Sequence, residues 1–341
     1  MINGELEYPF WQRIIPFSSL ARVIGSRWTG VRVNLDAEAI VASIPDEPVD
    51  AHVTYTDGEL VVVKAQEGFE LDDVELARKL GEVRLALAAE TKIKIKAERK
   101  AYEISDEDVA RFAENLPRMG EEMAGGFVGR TYAVMAVGMN GGWEMGVSKD
   151  RVYTSASTYK LFVAYSMLKA VESGAWKWSD SLNGTTLERC FEIMIVDSDN
   201  GCPDRWNNKV GFAAVNAKVQ EIGGLKNTQI APGNMRTTAA DLAVYLTKLY
   251  RGELYSEANT EKLLGLMKRQ RHRDGVPAGV GSSAVAVADK PGWGVGNWDG
   301  TGIVINDAAI VYHEKGDYVL VVMSSGGTWG GVAGVAGKVV W

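Results

Sequence analysis

Apolar and polar residues alternate in short runs towards both ends of the chain and follow helical spacing between them. Val31-Arg-Val-Asn-Leu35 alternates as a half-buried strand does, and Asp36 to Ser43 then reads as a short helix. His52-Val-Thr-Tyr-Thr and Leu60-Val-Val-Val-Lys flank Asp57-Gly58, a dipeptide suited to the two central positions of a type I′ hairpin. Asp72-x-x-Glu75 has the form of a capping box for a helix reaching about Leu87, and Thr91 to Glu98 is a further strand. Ser105-Asp-Glu-Asp opens a helix with acidic residues where the helix dipole favours them, and Pro117 is expected to end it. These elements predict a small α+β domain over residues 1–117.

A second pattern fills residues 118–341. Thr131-Tyr-Ala-Val-Met-Ala-Val is a strand, Asn140-Gly-Gly is a turn and a return strand follows. Helical spacing runs from Ala156 to Glu172 and dominates from Leu187 to Leu266. Strands are expected at Ala284–Lys290, Thr301–His313 and Tyr318–Ser324, the last two joined by Glu314-Lys-Gly-Asp. Glycines three or four apart in the tail suit a helix packed closely on a sheet. The economical solution is one sheet built from both ends of this segment, with helices on its faces.

Composition narrows the function. The chain has 341 residues, long for one domain, and is 46% hydrophobic and 24% charged, as soluble globular proteins are. Its net charge of -7 lacks the basic excess of a nucleic-acid binder, and Lys92-Ile-Lys-Ile-Lys96 reads as the solvated face of a strand. No apolar run is long enough to span a membrane. The apolar N-terminus is broken by Pro9, Gln12, Arg13 and Pro16, and lacks the pattern of a signal peptide. Two cysteines and the scattered His52, His272 and His313 offer no metal-ligand spacing, so neither metal nor cofactor is expected.

Ser157-Thr-Tyr-Lys160 opens the long apolar helix, and its i, i+3 spacing puts both side chains on one face. A helix N-terminus favours a developing oxyanion at the serine. Lys160, followed by Leu161, Phe162 and Val163, would be desolvated, which lowers its pKa and frees a neutral amine as base. Alone, such a pair arises by chance as a capping serine and an exposed lysine. Ser198-Asp199-Asn200, between two helices, reads by itself as a helix cap, and Lys290-Pro291-Gly292 as a strand end and turn.

Taken in order, S-x-x-K, S-D-N and K-x-G resemble the motif set of class A β-lactamases and penicillin-binding proteins, with Pro291 where Thr or Ser is usual. Met194-Ile-Val-Asp-Ser-Asp-Asn, Arg236-Thr-Thr-Ala-Ala-Asp-Leu and Val287-Ala-Asp-Lys-Pro-Gly extend the resemblance over roughly residues 120–341. It implies a fold of an antiparallel sheet flanked by helices plus a helical subdomain. It implies Ser157 as nucleophile, Lys160 as general base, Ser198 as proton relay to the leaving nitrogen and Asn200 as a brace for Lys160 and substrate. Lys290 would hold Ser198 and attract an anionic substrate, while the N–H groups of Ser157 and Trp293, just after Gly292, would form the oxyanion hole. The substrates implied are β-lactams or D-alanyl peptides of peptidoglycan, with a D,D-carboxypeptidase as the alternative activity.

Those substrates lie outside the cytoplasm, so an extracytoplasmic, cell-envelope location is expected, with the export or anchor segment absent from this sequence. Isolated cysteines are ordinarily buried thiols; that location favours instead a Cys190–Cys202 disulfide around Ser198. Residues 31–104, with the Asp57-Gly58 hairpin and Glu67-Gly-Phe-Glu-Leu-Asp, resemble peptidoglycan-binding domains found beside cell-wall transpeptidases. Efficient class A β-lactamases also carry a glutamate that activates the deacylating water. The corresponding stretch, Leu225 to Arg236, has no carboxylate, and Glu221 upstream reads as an exposed helical residue. Slow deacylation is therefore expected. Two rivals remain. A Ser-His-Asp esterase needs a histidine at the serine, and no G-x-S-x-G occurs; the other is a non-catalytic peptidoglycan-binding relic.

Overall fold

The computed structural model describes residues 48–71, 97–100, 103–126, 132–139, 141–182, 184–296 and 302–339. The strand expected at 31–35 and the helices expected at 36–43 and 72–87 lie outside the described residues. Two compact units are present: residues 1–51 with 63–106, and residues 52–62 with 107–341. The division falls at 106/107, about ten residues before Pro117, and the 52–62 hairpin belongs to the larger unit.

That hairpin is made by β1 (His52–Thr56) and β2 (Glu59–Val63), and both Asp57 and Gly58 take positive φ, as a type I′ turn requires. In the smaller unit β3 (Gly68–Leu71) pairs antiparallel with β4 (Ala97–Lys100), and the Asp50 carboxylate accepts from the N–H groups of Glu103 and Ile104.

Helix α1 (Asp106–Gly126) runs past Pro117 instead of stopping there. Proline removes one backbone hydrogen bond. The apolar stripe of Val109, Phe112, Leu116 and Met119 is nonetheless buried on both sides of it, and Phe112 stacks on Trp143 at 5.3 Å. Burial of a continuous face outweighs one lost bond.

The main sheet adds β5 (Tyr132–Gly138), β6 (Trp143–Val147), β9 (Ala284–Gly296), β10 (Gly302–His313) and β11 (Tyr318–Ser324), in the order β2-β1-β6-β5-β11-β10-β9. The five sheet strands of residues 118–341 pair antiparallel throughout, as expected, and the hairpin extends the sheet into a mixed one because β1 runs parallel to β6. Every residue of β11 is buried, so both faces of the sheet are covered. Between these strands come the short pair β7 (Tyr153–Thr154) and β8 (Arg236–Thr237), and the helices α2 (Lys160–Glu172), α3 (Leu187–Val196), α4 (Gly201–Val210), α5 (Phe212–Gln220), α6 (Ala239–Tyr250), α7 (Glu257–Lys268) and α8 (Val276–Val280). Helix α9 (Trp329–Ala336) is the expected tail helix and packs on β10, β11 and α8. Residues 160–168 of α2 are all buried, as expected of a central helix apolar on every side, and α3, α4 and α5 pack around it.

Strand β9 also departs from expectation. It continues through Lys290-Pro291-Gly292 to Gly296, where a strand end was expected. The sheet order explains it: β9 is an edge strand, where a residue without N–H is tolerated.

If α1 persists beyond Pro117, Met119→Ala should lower the unfolding free energy by about 2–5 kcal/mol in urea titrations. A change near zero would show that Met119 does not pack.

Candidate active site

Ser157 lies in a 3-10 turn, residues 156–159, between β7 and α2. The turn is over-determined. Ser155 N–H donates to Met235 O (2.8 Å), while Thr158 donates to Ser155 O from both its N–H (3.2 Å) and its hydroxyl (2.7 Å). Asn306, fully buried on β10, donates from Nδ2 to Thr154 O (2.9 Å) and Ser155 O (3.1 Å), and accepts from Ser324 N–H (2.9 Å). Such support holds Ala156 at φ +44°, a conformation that non-glycine residues rarely adopt. Gly292 passes so close that a Cβ on it would stand 2.6 Å from Ser157 N and 2.7 Å from Thr158 N. Glycine is required there, and it lays the backbone of β9 against the turn.

Lys160 Nζ has no exposed surface and meets four oxygens: Ser157 Oγ (2.9 Å), Ser198 O (2.6 Å), Asn200 Oδ1 (2.7 Å) and Ser198 Oγ (3.3 Å). Burial lowers its pKa to about 8, against the opposing pull of Asp199 and Asp204. Ser198 sits between α3 and α4 at φ +58°. Its Oγ also accepts from Lys290 Nζ (2.8 Å), whose second partner is Pro291 O (3.1 Å). With amines on one side, the Ser198 proton is free to point into the cleft. Burial, then the charge of Lys160, lowers Lys290 to about 7, while Asp289 and Asp307 pull it back up.

Cys190 on α3 and Cys202 on α4 are disulfide-bonded across the turn that carries Ser198, and Asp199 Oδ1 accepts from Cys202 N–H (2.8 Å). Two buried carboxylates lie on β9 and β10. Asp289 binds Arg273 Nη1 (2.7 Å), and Asp307 accepts from Val276 N–H (2.8 Å). Burial raises the pKa of both. Asp289, Asp307, Arg273 and Asn306 were not singled out from sequence. The available signal was Asn306-Asp307 inside the apolar run Ile303 to Val311, a polar pair that a buried strand must satisfy.

The cleft, about 290 Å³, is bounded by Ser157, Ser198, Asn200, Tyr159, Met235 and Trp293, with further residues of β7, β9 and the 225–236 stretch. Neither a carboxylate nor a histidine lines it among the described residues. The 225–236 stretch is pinned instead from outside: Asp241 accepts from Lys226 N–H, Asn227 N–H and the Thr228 hydroxyl. Glu221 is exposed at the end of α5 and paired with Lys218 (2.8 Å), as expected. Ser157 and Trp293 border the same cleft. Among the described residues no group of His, Cys, Asp and Glu forms a metal site, and no helix is long and apolar enough to cross a membrane.

The β-lactamase enzyme family profile matches residues 121–336. Among solved structures, PBP-A is similar at 24% identity and TM-score 0.58, over 66% of this chain and 95% of that one. A mutant of PBP-A, solved as an acyl-enzyme complex with penicillin G, is similar at 24% identity and TM-score 0.58, over 67% and 95%. A β-lactamase from Xanthomonas campestris pv. campestris gives 20% identity and TM-score 0.56, over 66% and 96%. Identities this low establish the fold. No curated protein matches the chain.

Gly292→Ala should displace the Ser157 turn and cut labelling of Ser157 by a fluorophosphonate about 100-fold, with the circular dichroism spectrum retained. Unchanged labelling would show that the close approach is not needed.

Proposed function

Because the chain belongs to the β-lactamase enzyme family, we propose that it is acylated at Ser157 by β-lactam or D-alanyl-peptide carbonyls, with Lys160 as general base. The observation that carries the reading is the 2.9 Å contact between Ser157 Oγ and an amine with no exposed surface. Ser157 Oγ attacks the carbonyl carbon as its proton passes to Lys160 Nζ. The N–H groups of Ser157 and Trp293 take the charge that develops on oxygen. The C–N bond then breaks, Ser198 Oγ gives its proton to the leaving nitrogen, and Lys160, 3.3 Å away, restores it. Asn200 braces Lys160 and the substrate side chain, and Lys290 orients Ser198. Lys290 has no exposed surface, which speaks against the role of attracting anions from solvent.

Deacylation needs an activated water, and the described cleft lining supplies no carboxylate for it. The intact lysine network disfavours a non-catalytic relic, and the pairing of Ser157 with lysine disfavours a histidine-dependent esterase. The disulfide suits an oxidising, extracytoplasmic compartment. Peptidoglycan is the partner that fits such a location, and the N-terminal region is proposed to bind it.

Incubation with a fluorescent penicillin, followed by peptide mass spectrometry, tests the assignment. The adduct is expected on Ser157 and absent from Ser157→Ala; an adduct elsewhere overturns it. Because the base is the neutral amine, the acylation rate should rise with pH through about 8, the pKa to which Lys160 is lowered. A profile flat from about pH 6 to 9 would remove Lys160 as base.

Turnover is a separate prediction. Loss of general-base help is worth ~10²–10⁴-fold, so a burst equal to the enzyme concentration and then a slow steady state is expected. Efficient hydrolysis without a burst would contradict it.

A further inference from the structure

Two buried carboxylates, Asp289 on β9 and Asp307 on β10, take no part in the acylation steps. Side chains alternate along a strand, so Asp289 and its neighbour Lys290 point to opposite faces of the sheet. Asp289 stands opposite Ala309, and Asp307 opposite Pro291, which makes the two aspartates diagonal neighbours on one face. Neither has exposed surface. Each carboxyl uses one oxygen: Asp289 Oδ1 accepts from Arg273 Nη1 (2.7 Å), and Asp307 Oδ2 from Val276 N–H (2.8 Å). A Cβ on Gly275 would collide with Asp307 Oδ2, so glycine there leaves the carboxyl its route to Val276. The other two oxygens, Asp289 Oδ2 and Asp307 Oδ1, are buried without a hydrogen-bond partner among the described residues.

Two orphaned acceptors on adjacent strands are costly, and two ionised carboxylates side by side repel one another in a medium that screens them poorly. The surroundings do not supply enough positive charge to offset this. Arg273 is bonded to Asp289, and Lys290 acts on both carboxyls from the other face. Helices α8 and α9 and strand β11, which pack on β10, carry no charged side chain. On α6, Asp241 is held by the 225–236 stretch and Lys248 by Ile222 O. On α7, Glu257, Glu261 and Lys268 are exposed and Lys262 pairs with Glu188; Asp274 is exposed as well. Burial keeps Tyr159 of the 3-10 turn and Tyr318 of β11 neutral. Burial raises both carboxyls, and the charge of Asp307 raises Asp289 further.

We propose that Asp289 and Asp307 hold one proton between them, Oδ2 of one carboxyl joined to Oδ1 of the other by a single hydrogen bond, so that one negative charge stands behind Lys290. The proton turns one orphaned oxygen into a donor and leaves the other as its acceptor. Arg273 offsets the charge that remains, and α8 stays tied to β10 through Val276. Both aspartates are positioning residues: they act through Lys290, which donates to Ser198 Oγ (2.8 Å). Their effect on Ser198 rests on acylation at Ser157; the shared proton does not.

Carbon-13 NMR of protein labelled at the aspartate carboxyl carbons reads the proton directly. At about pH 6, well above the ordinary aspartate value of about 3.9, one carboxyl is expected to remain protonated. Two carboxyl signals should respond as that proton leaves, as coupled sites do, and this readout stands where a variant does not fold. In Asp289→Asn and in Asp307→Asn alike the protonated signal should be absent, because the amide donates in its place. Absence of a protonated carboxyl from the wild-type protein overturns the proposal. So does one that survives in either variant, which would assign the proton to a single buried acid. The action on Lys290 is read by nitrogen-15 NMR of its side chain in the double variant Asp289→Asn/Asp307→Asn. With the negative charge gone, its midpoint should fall from about 7 by about one pH unit or more. An unchanged midpoint removes the pair as positioning residues, and neither result depends on labelling at Ser157.

Discussion

A lysine amine without exposed surface has to be surrounded by acceptors or lose its charge, and the architecture of the site follows from that requirement at Lys160. Three of its four contacts come from the turn between α3 and α4, through Ser198 O, Ser198 Oγ and Asn200 Oδ1. To place them, Ser198 adopts a positive φ, and a disulfide ties the helices on either side. The fourth contact, Ser157 Oγ, is fixed by a turn clamped by Asn306 and by the backbone of β9. Strain at Ala156 and Ser198 is thus local, and rigid elements hold it in place.

Charge balance behind the site has the same logic. Two buried lysines share one serine oxygen, and the charge of Lys160 lowers the cost of Lys290 being neutral. Asp289 and Asp307 oppose that by favouring protonated Lys290, while burial raises their own pKa values. The result is a pair of amines whose protons are held loosely near neutral pH, suited to shuttling between Ser157 and Ser198. No comparable arrangement reaches the 225–236 stretch, whose anchor, Asp241, is occupied with backbone and hydroxyl donors. On the proposed reading, the site is therefore better furnished for forming an ester than for cleaving one.

The three short motifs were legible because each puts a specific chemistry at a specific point of a helix start, an inter-helix turn or a strand, and folding brings them within hydrogen-bond reach. What was not legible depends on tertiary context. Pro117 reads as a helix end, but the buried face of α1 carries the helix through it. Pro291 reads as a strand end until β9 is known to be an edge. The 52–63 hairpin carries its turn in its sequence, but its place beside β6 is a long-range pairing that local pattern does not encode. Asn306 and Asp307 work only through what lies across the sheet from them.

The central claim is that Lys160 carries an amine ready to accept a proton from Ser157. Its protonation is directly measurable by nitrogen-15 NMR of the Lys160 side chain, assigned by loss of the signal in Lys160→Arg. The account predicts a titration centred at about 8. A midpoint at or above the ordinary lysine value, about 10.4, would contradict it.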